Sequence, residues 1–152
     1  MKKLLILSTA LLLAACGQSD EPGDYLKIVG GGIKFNYKIS RATMILMAQQ
    51  THPLPKDSKV EAQFEIPGTQ TTQTVTWPAA EGQLQYGFES QALTGIVKDT
   101  PYKITLLLVR ADGKELDRKE TTVQSDVNQS DLPSQPLING PAYADPQLQN
   151  IK

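Results

Sequence analysis

The chain has 152 residues, which is enough for one ordinary domain and not two. Its 15 Lys and Arg residues nearly balance 16 Asp and Glu residues, so we predict no nucleic-acid partner, because such binding requires a basic surface. A single Cys excludes an internal disulfide. One Cys and one His in the whole chain are too few ligands for most zinc sites and for iron–sulfur clusters. We therefore expect no cofactor, no metal site and no catalytic residue.

The first fifteen residues are typical of a secretory signal. Lys2 and Lys3 form a basic start, and the apolar run that follows is too short to cross a bilayer. The Leu-Ala-Ala-Cys sequence at 13–16 resembles the lipobox of bacterial lipoproteins. The resemblance implies that signal peptidase II cuts between Ala15 and Cys16, and that the Cys16 thiol carries diacylglycerol. It also implies acylation of the new amine, for example by palmitate, and two or three acyl chains anchor a protein stably.

The residues after the anchor indicate a location and a linker. By the same resemblance, an Asp directly after the lipidated Cys marks retention in the inner membrane of Gram-negative cells, whereas Gly17 and Gln18 stand here. We therefore expect an outer-membrane lipoprotein that faces the periplasm; the alternative is an ordinary secretory signal with a chance Cys. Residues 16–24 contain Gly, Pro and three acids, and we interpret them as the lipidated Cys and a flexible tether.

Residues 25–124 show the alternation of half-buried strands and no helical stripe. The clearest alternation lies at 33–39 and 60–66. Three glycines at 30–32 follow the first predicted strand, and we expect a bulge or a change of sheet there. An Asp-Gly pair at 112–113 predicts the turn of a final hairpin. The remaining predicted strands are 25–29, 43–49, 73–77, 84–88, 102–110 and 116–124.

About eight short strands at a spacing of roughly ten residues predict an all-β fold, an antiparallel two-sheet sandwich of the immunoglobulin-like class. Residues 93–123 resemble the E–F corner and final hairpin of fibronectin type III domains, with Ile96, Thr100 and Tyr102 at the corner positions. The resemblance implies that Tyr102 is structural, with a buried ring whose hydroxyl binds upstream backbone. Trp77 lies too late in the chain for the tryptophan of that family. The strand order therefore stays open, and a transthyretin-like sandwich is an alternative.

The last 28 residues, 125–152, predict an irregular Pro-rich tail without a core of its own. Two predicted strands of the domain are apolar on both faces, although a sandwich normally leaves one face wet. Either the tail covers the second face, or that face is a partner surface. The residues of this possible partner surface are Met44, Met47, Leu107 and Val109.

These features predict a non-enzymatic module that binds protein or assists envelope assembly. It would be held on the membrane by the lipid on Cys16 and would engage an unidentified envelope protein through an edge strand, the apolar surface or the tail. An alternative is a periplasmic binder of a small molecule or glycan, with Trp77, Tyr86 and Tyr37 as stacking residues. A hydrolase is a third possibility, and it depends on His52 alone.

Overall fold

A computed structural model describes residues 23–137. The predicted signal peptide, the lipidation position Cys16, most of the tether and the tail beyond residue 137 lie outside the described residues. The described part is an all-β sandwich, which confirms the predicted fold class. Its seven strands are β1 (Leu26–Asn36), β2 (Arg41–Gln50), β3 (Lys59–Glu65), β4 (Thr72–Pro78), β5 (Gln85–Glu89), β6 (Tyr102–Val109) and β7 (Glu115–Val123).

The strands form two antiparallel sheets that pack face to face. One sheet has the order β1-β2-β5 and the other the order β4-β3-β6-β7. The fourth strand lies beside the third, unlike the constant-type immunoglobulin arrangement, in which the fourth strand lies beside the fifth. The β6–β7 pair is the predicted hairpin, and Gly113 in its turn has the positive φ of 85° for which glycine is suited.

The first two predicted strands are one continuous strand, β1, so residues 23–137 form seven strands and not eight. The glycines at 30–32 lie inside β1, where the register against β2 shifts between Ile28 and Gly30. This shift is a β-bulge, one of the two roles predicted for the glycines. A Cβ on Gly31 would lie 3.2 Å from the Ile45 carbonyl oxygen, so a larger residue would crowd β2 there. β1 also ends earlier than predicted, at Asn36, because the chain turns over residues 37–40.

The core lies between the sheets and is built from alternate residues of each strand. Burial of each such aliphatic or aromatic side chain contributes about 1.5–3 kcal/mol before conformational entropy is counted. The largest fully buried apolar side chains are Tyr86, Phe64, Leu26, Met44, Leu46, Ile96, Ile104, Leu106, Leu108 and Val60.

Ordered packing continues past residue 124, into the predicted tail. The Ser125 carbonyl accepts a hydrogen bond from the Asp99 N–H at 2.8 Å. The Gln129 side chain spans the loop before β6: its Oε1 accepts the Ile96 N–H at 3.2 Å, and its Nε2 donates to the Leu93 carbonyl at 2.9 Å. Residues 125–133 therefore lie against one end of the sandwich rather than across a sheet face.

Candidate functional surfaces

The three predicted corner residues, Ile96, Thr100 and Tyr102, lie in or beside the loop between β5 and β6 and hold it in place. The Tyr102 hydroxyl accepts a hydrogen bond from the Val97 N–H at 2.8 Å, and its ring is only 3% exposed. Ile96 is buried beneath the same loop, and Thr100 Oγ1 lies 3.4 Å from the Lys98 carbonyl oxygen. These contacts fix the loop on which the Gln129 segment packs.

The partner surface predicted from the sequence is wrong for two of its four residues. Met44 is fully buried. Side chains alternate between faces along a strand, so Met44 and Met47, three residues apart, point to opposite faces of the sheet, and Met44 points into the core. Leu107 faces away from the core, yet it is only 4% exposed. In the sheet it lies between Glu61 on β3 and Arg118 on β7, and long side chains on neighbouring strands can shield a central residue.

Met47 does lie on a surface, the outer face of the three-stranded sheet. Gly30 and Gly87 are its paired residues on β1 and β5, so neither of them has a side chain to cover it, and it is 41% exposed. A Cβ on Gly87 would contact the Met47 sulfur at 3.4 Å, and the Gly87 carbonyl accepts a hydrogen bond from Trp77 Nε1 at 3.1 Å. Val29, next to Gly30, is 49% exposed, and Trp77, which reaches the edge of β5 from β4 of the other sheet, is 48% exposed. We call Val29, Met47 and Trp77 the apolar strip.

Charged side chains lie on the same outer face as Met47. Lys34 Nζ lies 2.7 Å from Glu89 Oε1, which also accepts a hydrogen bond from Thr43 Oγ1 at 2.9 Å. The hydrogen bond from Lys34 is the main reason that the pKa of Glu89 is lowered, and burial opposes it.

Val109, the fourth predicted surface residue, is half-buried at the end of β6 in the four-stranded sheet, away from the outer face on which Met47 lies.

The three aromatic residues proposed for stacking do not form one site. Tyr86 is completely buried in the core, and its hydroxyl has no hydrogen-bond partner within residues 23–137. Trp77 lies on β4, whereas Tyr37 lies in the turn after β1. A ligand could therefore stack on Tyr37 or Trp77 but not on Tyr86.

A cleft of about 480 Å³ lies beside Tyr37, between the turn after β1, the loop before β6 and the segment that follows Gln129. Tyr37 and Val97, each about half exposed, line it together with Phe35, and Arg41 is the charged side chain of its lining. The Ser40 hydroxyl donates to the Pro133 carbonyl at 2.6 Å and joins two of the cleft walls. Its volume lies in the range of small-molecule sites.

His52 lies in the loop after β2 and contacts the backbone at the start of the domain. Its Nδ1 is 2.7 Å from the Asp24 carbonyl oxygen, which also accepts a hydrogen bond from the Thr51 hydroxyl. The nearby Ser58 hydroxyl donates to the Pro55 carbonyl at 2.5 Å. His52 and Ser58 thus each contact a backbone carbonyl rather than one another. The part of the chain that the structure describes holds no group of three or more His, Cys, Asp or Glu arranged to bind a metal.

A buried carboxylate that the sequence did not single out holds the start of the domain in place. Asp117 on β7 is 4% exposed, and its Oδ2 accepts the Leu26 N–H at 2.9 Å. Lys119 Nζ lies 3.2 Å from a carboxylate oxygen of Asp117 and 3.2 Å from one of Asp24. The bond to Asp24 is the main reason that the pKa of Lys119 is raised, with Asp117 adding to it. This group, the Asp117 clamp, ties β1 to β7 where the tether enters.

Comparison of the sequence with protein-family models finds no match, and comparison with curated proteins finds none either. No helix within residues 23–137 is long and apolar enough to span a bilayer. The fold class and the surfaces above are therefore the basis for a function.

Proposed function

We propose that the protein is a lipoprotein of the Gram-negative outer membrane, anchored through lipid on Cys16, whose periplasmic sandwich binds another envelope protein without catalysing a reaction. The observation that carries this proposal is the apolar strip. Three large apolar side chains, Val29, Met47 and Trp77, are each 41–49% exposed and are linked through Gly30 and Gly87.

Several properties of the strip favour a protein partner. Exposed apolar patches with a polar rim are typical of interaction sites, and Lys34 and Glu89 provide such a rim. Met and Trp are enriched in protein interfaces, and a flexible Met side chain adapts to a partner's shape. The strip also lies on paired strands, so binding does not require a loop to become ordered first.

The anchor and the tether would determine where this surface works. Nine residues, 16–24, separate the lipid from the domain, and fully extended they reach roughly 30 Å. The Asp117 clamp holds Leu26, so the tether would join the sandwich at a residue whose backbone is fixed by a buried hydrogen bond. The mechanism is positional: the lipid keeps the apolar strip near the membrane, where an envelope protein is captured.

In-cell crosslinking and pull-down of the full-length lipoprotein would test the proposal. We expect one specific envelope protein with the native chain, its loss with Met47→Asp, and its retention with Val127→Asp, a control with similar exposure of 37% away from the strip. Cys16→Ser should leave the membrane fraction. Capture of no envelope protein by any form, or equal capture by Met47→Asp, would contradict the proposal.

A second candidate function, binding of a small molecule or glycan, is favoured by the cleft beside Tyr37. Its aromatic and apolar lining could stack on the C–H face of a sugar ring, and Ser130 and Ser134 are part of its wall. A saccharide screen by thermal shift should then find a ligand whose effect disappears in Tyr37→Ala and survives in Met47→Asp. The opposite pattern would leave the protein-binding proposal alone.

A further inference from the structure

The β4 strand has a free edge whose backbone groups point away from the rest of the sheet. Beyond the two ends of the β3–β4 ladder, the Ala79 N–H donates to the Ser58 carbonyl at 2.9 Å, and the Ile66 N–H donates to the Thr71 carbonyl at 3.0 Å. Antiparallel pairs alternate between bonded and non-bonded residues. Because Ala79 and Thr71 both bond to β3, counting inward from either end gives the same alternation. The backbone N–H and carbonyl groups of Thr72, Thr74 and Thr76 point away from β3.

These outward groups are available to a partner. Thr72, Thr74 and Thr76 are all exposed, and within residues 23–137 their N–H and carbonyl groups make no hydrogen bond. Three consecutive donor–acceptor pairs at strand spacing are the template that an added strand requires.

Proteins usually protect such edges with bulges, charges or capping side chains, and the other three edge strands here have such protection. β1 carries the bulge near Gly30. β7 carries five charged residues within Glu115–Val123. On β5, Gln83 Nε2 donates to the Gln85 carbonyl at 3.1 Å, and Trp77 Nε1 caps the Gly87 carbonyl.

β4 has none of these devices along its length. Residues 66–80 contain no charged side chain, and the register between β3 and β4 runs without a shift. Its only proline, Pro78, is its last residue. The unprotected edge is therefore confined to one strand, and that strand carries Trp77 of the apolar strip.

We propose that the free edge of β4 binds an extended segment of a partner protein by strand addition. This inference rests on the proposed function, because it names the part of the partner that is recognised. One face of the added segment would meet Val75 and the half-exposed Trp77 ring, which favours apolar side chains. On the other face the charged side chains of β3 are Glu61, Glu65 and, opposite Pro78 at the end of the strand, Lys59. Their net charge is negative, so alternate Lys or Arg residues are favoured over Asp or Glu.

Trp77 is the only tryptophan of the chain, so its fluorescence reports directly on this edge. The probe is a capped synthetic peptide of about nine residues that alternates valine and lysine, titrated into the full-length lipoprotein in detergent micelles. We expect a saturable blue shift with reduced acrylamide quenching, and about tenfold weaker binding by a valine–glutamate peptide.

Variants of the edge separate strand addition from other binding. Thr74→Pro removes one outward N–H at a position where an edge strand tolerates proline, and it should weaken peptide binding about tenfold. Thr74→Val, the matched control, keeps the backbone donor and should bind normally. Circular dichroism and the urea midpoint would verify that both variants fold.

Two results would overturn the inference: no saturable response to the valine–lysine peptide, or equal binding by Thr74→Pro. A blue shift of the protein alone that grows with its concentration and disappears in Thr74→Pro would also overturn it, because the occupant would then be a second copy. If the peptide does not bind while pull-down still yields a partner that Met47→Asp loses, the inference fails and the proposed function stands. If no partner is captured, the proposed function fails whatever the peptide does.

Discussion

Replacement of Asp117 tests whether one buried carboxylate holds the first strand in the sandwich. Asp117→Ala removes the acceptor of the Leu26 N–H and one of the two carboxylates that contact Lys119. A hydrogen bond to a charged group contributes about 1.5–3 kcal/mol, and an unsatisfied buried N–H adds about 1 kcal/mol or more. Lys119 keeps Asp24, so its charge stays partly compensated. We therefore expect Asp117→Ala to lower the free energy of unfolding by about 2–4 kcal/mol.

The isosteric variant Asp117→Asn should cost less, about 1 kcal/mol, because its amide oxygen can still accept the Leu26 N–H while the charge is lost. Urea unfolding of the full chain at pH 7 measures both values. Hydrogen exchange should show faster opening at the start of β1 in Asp117→Ala. An Asp117→Ala protein within about 0.5 kcal/mol of the native chain, or no difference between the two variants, would refute the clamp argument.

Three further predictions concern the corner, the hairpin and the tail segment. Tyr102→Phe leaves the Val97 N–H without its acceptor and should lower the free energy of unfolding by about 1 kcal/mol; an unchanged urea midpoint would contradict this. Hydrogen bonding from Arg110 lowers the pKa of Asp112 from 3.8 to about 2, so its stabilising contribution is present above pH 3.8 and is lost as the pH falls towards 2. Asp112→Asn should therefore flatten the acid limb of the unfolding midpoint in that window, and an identical pH profile would count against it. Gln129→Ala removes two hydrogen bonds to the loop before β6 and should cost about 1–2 kcal/mol, with earlier proteolytic release of residues 125–137 as the readout.

The sequence by itself determined the elements of this protein, because strand periodicity and turn chemistry are local. Alternating apolar residues marked the strands, and the Asp-Gly pair marked the β6–β7 hairpin. The resemblance of residues 93–123 to the corner of fibronectin type III domains implied the backbone bond of the Tyr102 hydroxyl, which meets Val97. Each of these features depends on residues close together in the chain, so the printed order of residues contains the information. The prediction of separate strands at 25–29 and 33–39 was wrong for a reason that is also local. The bulge near Gly30 keeps the chain paired with β2 through the three glycines, so the two segments form one strand.

Only the tertiary structure decided which strands are neighbours and which faces are covered. Period two says that Met44 and Met47 lie on opposite faces, but not that the Met47 face is flanked by glycines or that Leu107 is shielded. The bond between Asp117 and Leu26 joins residues 91 positions apart, and no local pattern predicts it. The free edge of β4 likewise exists because β4 pairs with β3 and not with β5. Such features depend on the free energy of packing distant segments, to which short-range sequence preferences contribute little.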